Sequence, residues 1–385
     1  MKNNNKTFFK KWGINILLSG ILLLLITVFI VFNHLKYNSN VAEFYTRSFT
    51  KVYLQLMTRI NKYIPFSLTE LFFVILGLLT LVFLILFFKS LFSKKWAKAV
   101  FYPLTIAVMV MSVIVNYNLV IEMAYLRKPV DLPYYEQEVD NQEFIDIYNY
   151  YASDFNYCLS TLKFESNGNV INPYSLNELS EIIEGEYSKK IDSSYFLNTN
   201  TCGKEMFSSF LYREFQITGV AYSSFGEANI NVLCTNAELP IVIAHELAHT
   251  KAVMREDDAN QVAFFVCLNS DNPYLRFSAY ISRFSQINAI TSPTYISEED
   301  REQKISISHQ YYDCYVYIRD YWQSHNLLER IGDFFNNMYI SSSGISEGTS
   351  SYSGGTEVIS DPETGKLIPN KYQKLYFEKY YRINS

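Results

Sequence analysis

PIVIAHELAHTKAVMREDDANQVAFF, residues 240–265, decides how the folded part of this chain is read. It opens on Pro240, whose missing N–H costs nothing in the first turn of a helix. On that helix His245 and His249 stand at i and i+4, about 40° apart around the axis and one turn along it. Two imidazoles so placed can reach one tetrahedral ion at metal–nitrogen distances of about 2.0–2.1 Å. Glu246 directly follows the first, so its carboxylate emerges beside such an ion, where it can take a proton from bound water and pass it to a leaving amine. This is the HExxH spacing of zinc hydrolases. The bland alternative is a polar face turned to solvent. Against it, Ile241, Val242, Ile243, Ala244, Leu247 and Ala248 imply a largely buried helix. Two buried imidazoles and a buried carboxylate are costly without a partner such as a metal.

A catalytic zinc needs a third protein ligand and an open position. Glu256, Asp257 and Asp258 are the nearby candidates. On an unbroken helix Glu256 would point the same way as His249 but lie about 10 Å further along the axis, too far to share an ion. The helix is therefore expected to break between Thr250 and Arg255, with a new one starting at the acidic residues, which favour a helix N-terminus. Glu256 is the preferred ligand, Asp258 its substitute, and Asn260 one turn on a supporting partner.

Outside this stretch the apolar residues are concentrated in the first third of the 385-residue chain. Three long apolar runs, about residues 14–32, 67–88 (with Glu70 in the polar lead-in before Leu71) and 99–120, are each long enough to cross a hydrocarbon core of about 30 Å. In lipid they can only be helices. The first has a basic start but no small-residue cleavage site after it, so it reads as a retained span rather than a signal peptide. Lys2, Lys6, Lys10 and Lys11 precede the first run, and Lys89, Lys94, Lys95 and Lys98 lie between the second and third. Both groups are expected on the cytoplasmic side, leaving residues 122–385 extracytoplasmic after a membrane region of residues 1–121. A formal charge of −5 gives no reason to expect nucleic acid.

The segment between the first two spans has apolar residues at helical spacing among Arg and Lys, as in a helix lying on the membrane or packed on the folded domain. Helical patterns cover residues 132–162, 176–191, 272–286 and 298–326, and residues 229–234 (NINVLC) alternate like a strand. Residues 341–361 are rich in Ser and Gly and read as loop. The five cysteines all fall after residue 121 and read as buried small hydrophobes with one or two bridges among them. His309 and His325 read as structural or surface residues.

The HELAH string with Glu256, Ala259 and Asn260 resembles the gluzincin branch of zinc metallopeptidases. More closely, the three spans with LPIVIAHELAH, EDDAN, RFSAY (residues 276–280) and EGTSSY (residues 347–352) resemble a bacterial membrane family known as domain of unknown function 3810. That family tends to carry glycine where this chain has Ala252, which makes the turn after the first helix a point of strain. The resemblance implies three transmembrane helices followed by a mainly α-helical α+β zincin-like domain with a small sheet. It implies a membrane-tethered peptidase-like domain without naming a substrate; zinc as cofactor, and a peptide or protein substrate beside the bilayer, are the expectations that the HExxH spacing itself carries. In such a fold the strand before the motif helix borders the cleft, which gives residues 229–234 that role. Tyr280, Arg276 and Tyr352 become candidates to stabilise the oxyanion. The expected function is a membrane-anchored zinc metallopeptidase with Glu246 as general base. The competing expectation is a metal-stabilised membrane sensor that cuts nothing. An intramembrane protease is disfavoured, because the motif lies over a hundred residues past the last span.

Overall fold

Long apolar runs satisfy their backbone within themselves by becoming helices. The computed structural model describes residues 2–190, 195–292, 296–343, 345, 348–353, 356, 359–360 and 367–384. It opens with helix α1 (Lys2–Leu35), followed by α2 (Ser39–Tyr45) and, after a π-helical turn, α3 (Lys51–Asn61). Two long helices come next, α4 (Leu68–Phe92) and α5 (Trp96–Tyr117). Three segments, Lys11–Leu35, Leu68–Phe92 and Trp96–Tyr125, are long and apolar enough to cross a membrane. Ser67 caps α4 by accepting the Glu70 N–H.

The third run differs from expectation at its far end. After Tyr117 the chain passes through a π-helical turn (Asn118–Glu122) into α6 (Met123–Tyr125). Val120, Ile121, Ala124 and Tyr125 pack against Leu54 of α3 and against Ala252 and Met254. Apolar side chains are buried equally well by lipid or by protein, so hydropathy alone could not show where one replaces the other.

The folded part begins with α7 (Asn141–Thr161), nucleated by a capping box between Asp140 and Glu143. Its start lies nine residues later than the pattern over 132–162 suggested, because the residues ahead of the box take no regular structure. Next come α8 (Leu176–Lys190), β1 (Gly203–Glu205), α9 (Ser209–Glu214), β2 (Gly219–Val220) and β3 (Ala228–Ile230). The three strands form a sheet of order β1-β3-β2, parallel between β1 and β3 and antiparallel between β2 and β3. This corrects the reading of residues 229–234. Only the first two of them are strand, β3 is central rather than an edge, and Cys234 closes a turn by donating to the Asn231 carbonyl. The edge next to the motif helix is β2.

Helices α10 (Leu239–Thr250) and α11 (Glu256–Leu268) form the centre, surrounded by α7, α8 and α12 (Pro273–Ala289). The rest comprises α13 (Glu298–Arg301), α14 (His309–Ser324), α15 (Glu329–Ser342), a 3-10 turn (Gly348–Ser353), the β4–β5 pair (Ile359–Ser360, Leu367–Ile368) and α16 (Lys371–Asn384). The pattern over 298–326 therefore splits into two helices, and much of the Ser/Gly-rich stretch 341–361 lies outside the described residues. Ile243, Leu247, Val262, Phe264 and Val266 are fully buried at the α10–α11 contact, each contributing about 1.5–3 kcal/mol. All five cysteines are free thiols, so no bridge forms among them.

The folded part is fastened to the long apolar helices by Glu227. Its buried carboxylate accepts the backbone N–H groups of Thr69 (2.6 Å) and Leu68 (3.2 Å) at the start of α4. It also accepts the Ser67 hydroxyl and the Asn61 amide, and pairs with Lys204 Nζ at 3.0 Å. Burial alone would raise its pKa, but these donors and the Lys204 charge hold it below the usual carboxylate range.

Candidate metal centre

The site is made by one turn. Helix α10 stops where Val253 N–H bonds the Ala248 carbonyl (3.1 Å) and Ala252 N–H bonds the His249 carbonyl (3.0 Å), a Schellman closure. That closure needs a left-handed residue, and Ala252 takes the role at φ 63°. An L-residue there is strained by about 1–2 kcal/mol. Arg255 is extended, and α11 restarts at Glu256 with three acidic residues in its first turn. The break thus falls within the expected interval and folds Glu256 back over His245 and His249.

Three donor atoms converge there. His245 Nε2 lies 3.0 Å from His249 Nε2 and 3.1 Å from Glu256 Oε2, and His249 Nε2 lies 3.6 Å from the same oxygen. Ligands about 2.0–2.1 Å from a tetrahedral ion stand about 3.3 Å from each other, the middle of this range. The other face of each group is also held. His249 Nδ1 donates to the Val253 carbonyl at 2.7 Å, so Nε2 is the nitrogen that faces its partners and the one that would carry the lone pair whenever the ring gives up its second proton. The Tyr125 hydroxyl donates to Glu256 Oε1 at 3.3 Å, leaving Oε2 for the imidazoles.

Burial penalises charge on both members of the His249–Glu256 pair, yet each stabilises the other's ionised form. His249 is pushed up to about 9, and Glu256 is held well below its usual range. Glu246 is different. Burial raises its pKa against the pull of the two imidazoles, and its Oε2 has no hydrogen-bond partner among the described residues. Its other side lies against Gly219 of β2, where a Cβ would come within 2.6 Å of the Glu246 Cγ. A glycine in a strand marks such a close approach, and that was the only signal in the sequence for this contact.

These residues line a cleft of about 530 Å3, together with the chain around β2, Arg283, Asn336, Tyr339 and Tyr352. Tyr352 lines the cleft. Its hydroxyl accepts from Asn336 Nδ2 at 3.4 Å, and burial together with Glu256 keeps it protonated. Asn260 also lines the cleft, donating to the Tyr352 carbonyl at 3.3 Å. Tyr125, Gly219, Asn336 and Tyr339 were not singled out in the sequence. They come from distant segments and carry no local pattern.

Arg276 and Tyr280 lie elsewhere. Both bind Asp154 of α7, Arg276 through Nε at 2.9 Å and Tyr280 through its hydroxyl at 2.5 Å. They join α12 to α7 and are not part of the cleft wall, so neither can reach an oxyanion at the triad. The physical reason is the i, i+4 face they share, which is turned to α7. Asp257 pairs with Arg255 at 3.1 Å, and Asp258 accepts the Val130 N–H at 3.3 Å, so both alternatives to Glu256 are engaged away from the histidines.

Among known proteins, the chain matches the model of a family described as "Protein of unknown function (DUF3810)" over residues 45–359. Neither a curated protein nor a solved structure matches it. The matched segment takes in α3, the second and third apolar helices, the anchor and all four groups at the cleft, and the chain belongs to the DUF3810 family.

Proposed function

We propose that the chain is a membrane-anchored zinc metallopeptidase of the gluzincin kind, cutting peptide bonds in a peptide or protein substrate on the extracytoplasmic side. The observation that carries this reading is the convergence of His245, His249 and Glu256 beside a buried Glu246 carboxylate with a free oxygen. Their donor set and spacing suit zinc, with Glu256 as third ligand. Bound there, zinc supplies Lewis acidity that polarises a carbonyl and makes water acidic at a pH of about 7.

The chain's own groups do the rest. Glu246 receives the proton at its unpartnered Oε2 and delivers it to the departing amine, and desolvation makes it a stronger base than an exposed glutamate. Tyr352 and Tyr339, kept protonated by burial, supply hydroxyl donors where negative charge develops. The β2 edge offers main-chain partners to an extended peptide. Lysine placement around the three spans supports the extracytoplasmic side.

The test is the Glu246→Gln variant of the full-length protein. It is expected to keep its zinc and lose hydrolysis. Undiminished hydrolysis would overturn the proposal. Retained zinc with intact partner binding, and no hydrolysis even in the parent protein, would favour the metal-stabilised sensor instead.

A further inference from the structure

Beneath the cleft lies a second cavity of about 500 Å3. Its walls are membrane helices, with Phe72, Leu76 and Leu79 from the first turns of α4 and Val108 and Val113 from the last turns of α5. Its roof is the folded part, through Tyr222 and Phe225. A polar rim closes the upper end. Tyr53 donates to the Ser224 carbonyl at 2.9 Å, and Tyr222 donates to Asn116 Oδ1 at 3.4 Å. Tyr222 lines this groove and the metal cleft alike.

The shape limits the occupant. From Phe72 to Leu79 the groove runs about 10 Å along α4, most of the roughly 15 Å depth of one leaflet. With membrane spans on two sides it holds hydrocarbon rather than water. A groove of about 500 Å3 accommodates a single extended hydrocarbon chain over that length. At its polar end Tyr222 stands two residues from Val220 of β2, about 7 Å of extended backbone from the strand that borders the triad.

We propose that the substrate is a lipidated peptide. Its acyl chain lies in the α4–α5 groove, and the attached peptide passes Tyr222 and follows β2 across the cleft. This rests on the hydrolase reading above and adds the substrate class to it.

The experiment uses the full-length, zinc-loaded protein in lipid nanodiscs with one randomised peptide library, either N-palmitoylated or N-acetylated. The expected result is a kcat/KM for the palmitoylated library higher by about tenfold or more. Leu76→Trp and Val113→Trp, which fill the groove, should each remove that advantage while leaving the acetylated library unaffected. A diazirine in the palmitoyl chain should label α4 and α5 in preference to α1. An advantage that persists in both variants, with labelling spread evenly over the three spans, reflects partitioning into the bilayer alone and overturns the groove. Equal turnover of the two libraries overturns it too, while the hydrolase reading stands. Hydrolysis of neither library overturns the hydrolase reading and this inference with it.

Discussion

Glu227 and Glu246 are both buried glutamates of the folded part, and their surroundings differ in every respect that matters for chemistry. Glu227 is saturated by the start of α4, Asn61 and Lys204, and its pKa is held down. Glu246 keeps an oxygen without a partner among the described residues, and its pKa is raised. The backbones differ in the same sense. The left-handed position next to Glu227 is filled by Gly226 (φ 62°), whereas the left-handed position that shapes the candidate metal centre is filled by Ala252 (φ 63°). An anchor satisfies its polar atoms and takes the residue its conformation prefers. The candidate site leaves one group unsatisfied among the described residues and tolerates strain, which the packing around it maintains.

The sharpest way to break this contrast is to neutralise each carboxylate in turn. Glu246→Gln is expected to lower hydrolysis by about 10²–10⁴-fold in a turnover assay, with the melting temperature held or raised, because a neutral amide is less costly to bury. Glu227→Gln should do the reverse. It leaves the Lys204 charge buried without its partner and should destabilise the protein by about 3–5 kcal/mol in denaturant or thermal unfolding, with zinc content unchanged. Equal stability losses in the two variants would erase the distinction.

The anchor also has a pH signature. The folded-state pKa of Glu227 lies below its unfolded value of about 4.3, so its stabilisation is complete above that pH and fades as pH falls through the folded value. Comparing acid unfolding of the parent protein with Glu227→Gln should show a smaller loss in the variant as pH falls below about 4.3. Gly219→Ala tests the close approach at the cleft. Its methyl would press on Glu246, costing about 1–3 kcal/mol and lowering turnover without loss of zinc. Ala252→Gly has the smallest effect and the opposite sign. Relief of the left-handed strain, partly offset by glycine's greater freedom when unfolded, should stabilise by about 1 kcal/mol.

What was legible in the sequence was what is local. The three long apolar helices follow from sustained hydropathy, and the approach of His245, His249 and Glu256 follows from helical spacing plus the need for a break between Thr250 and Arg255. What was hidden depends on segments that meet only in space. Tyr125 reaches Glu256 across 131 positions, and Glu227 reaches Thr69 across 158. Tyr280 was misplaced for a related reason. In a chain with 32 tyrosines, which of them faces the cleft is set by helix rotation and packing rather than by any neighbouring residue. The strand at residues 229–234 shows the limit of alternation as a signal. It marks a sheet but not whether the strand is central or edge.

All of this turns on whether the triad holds a metal ion. Elemental analysis of the purified full-length protein, alongside its Glu246→Gln and His249→Ala variants, addresses that directly. The account predicts about one zinc per chain in the parent and in Glu246→Gln, and none in a still-folded His249→Ala. A folded parent protein that takes up no zinc, or a His249→Ala variant that binds it as well as the parent, would contradict it.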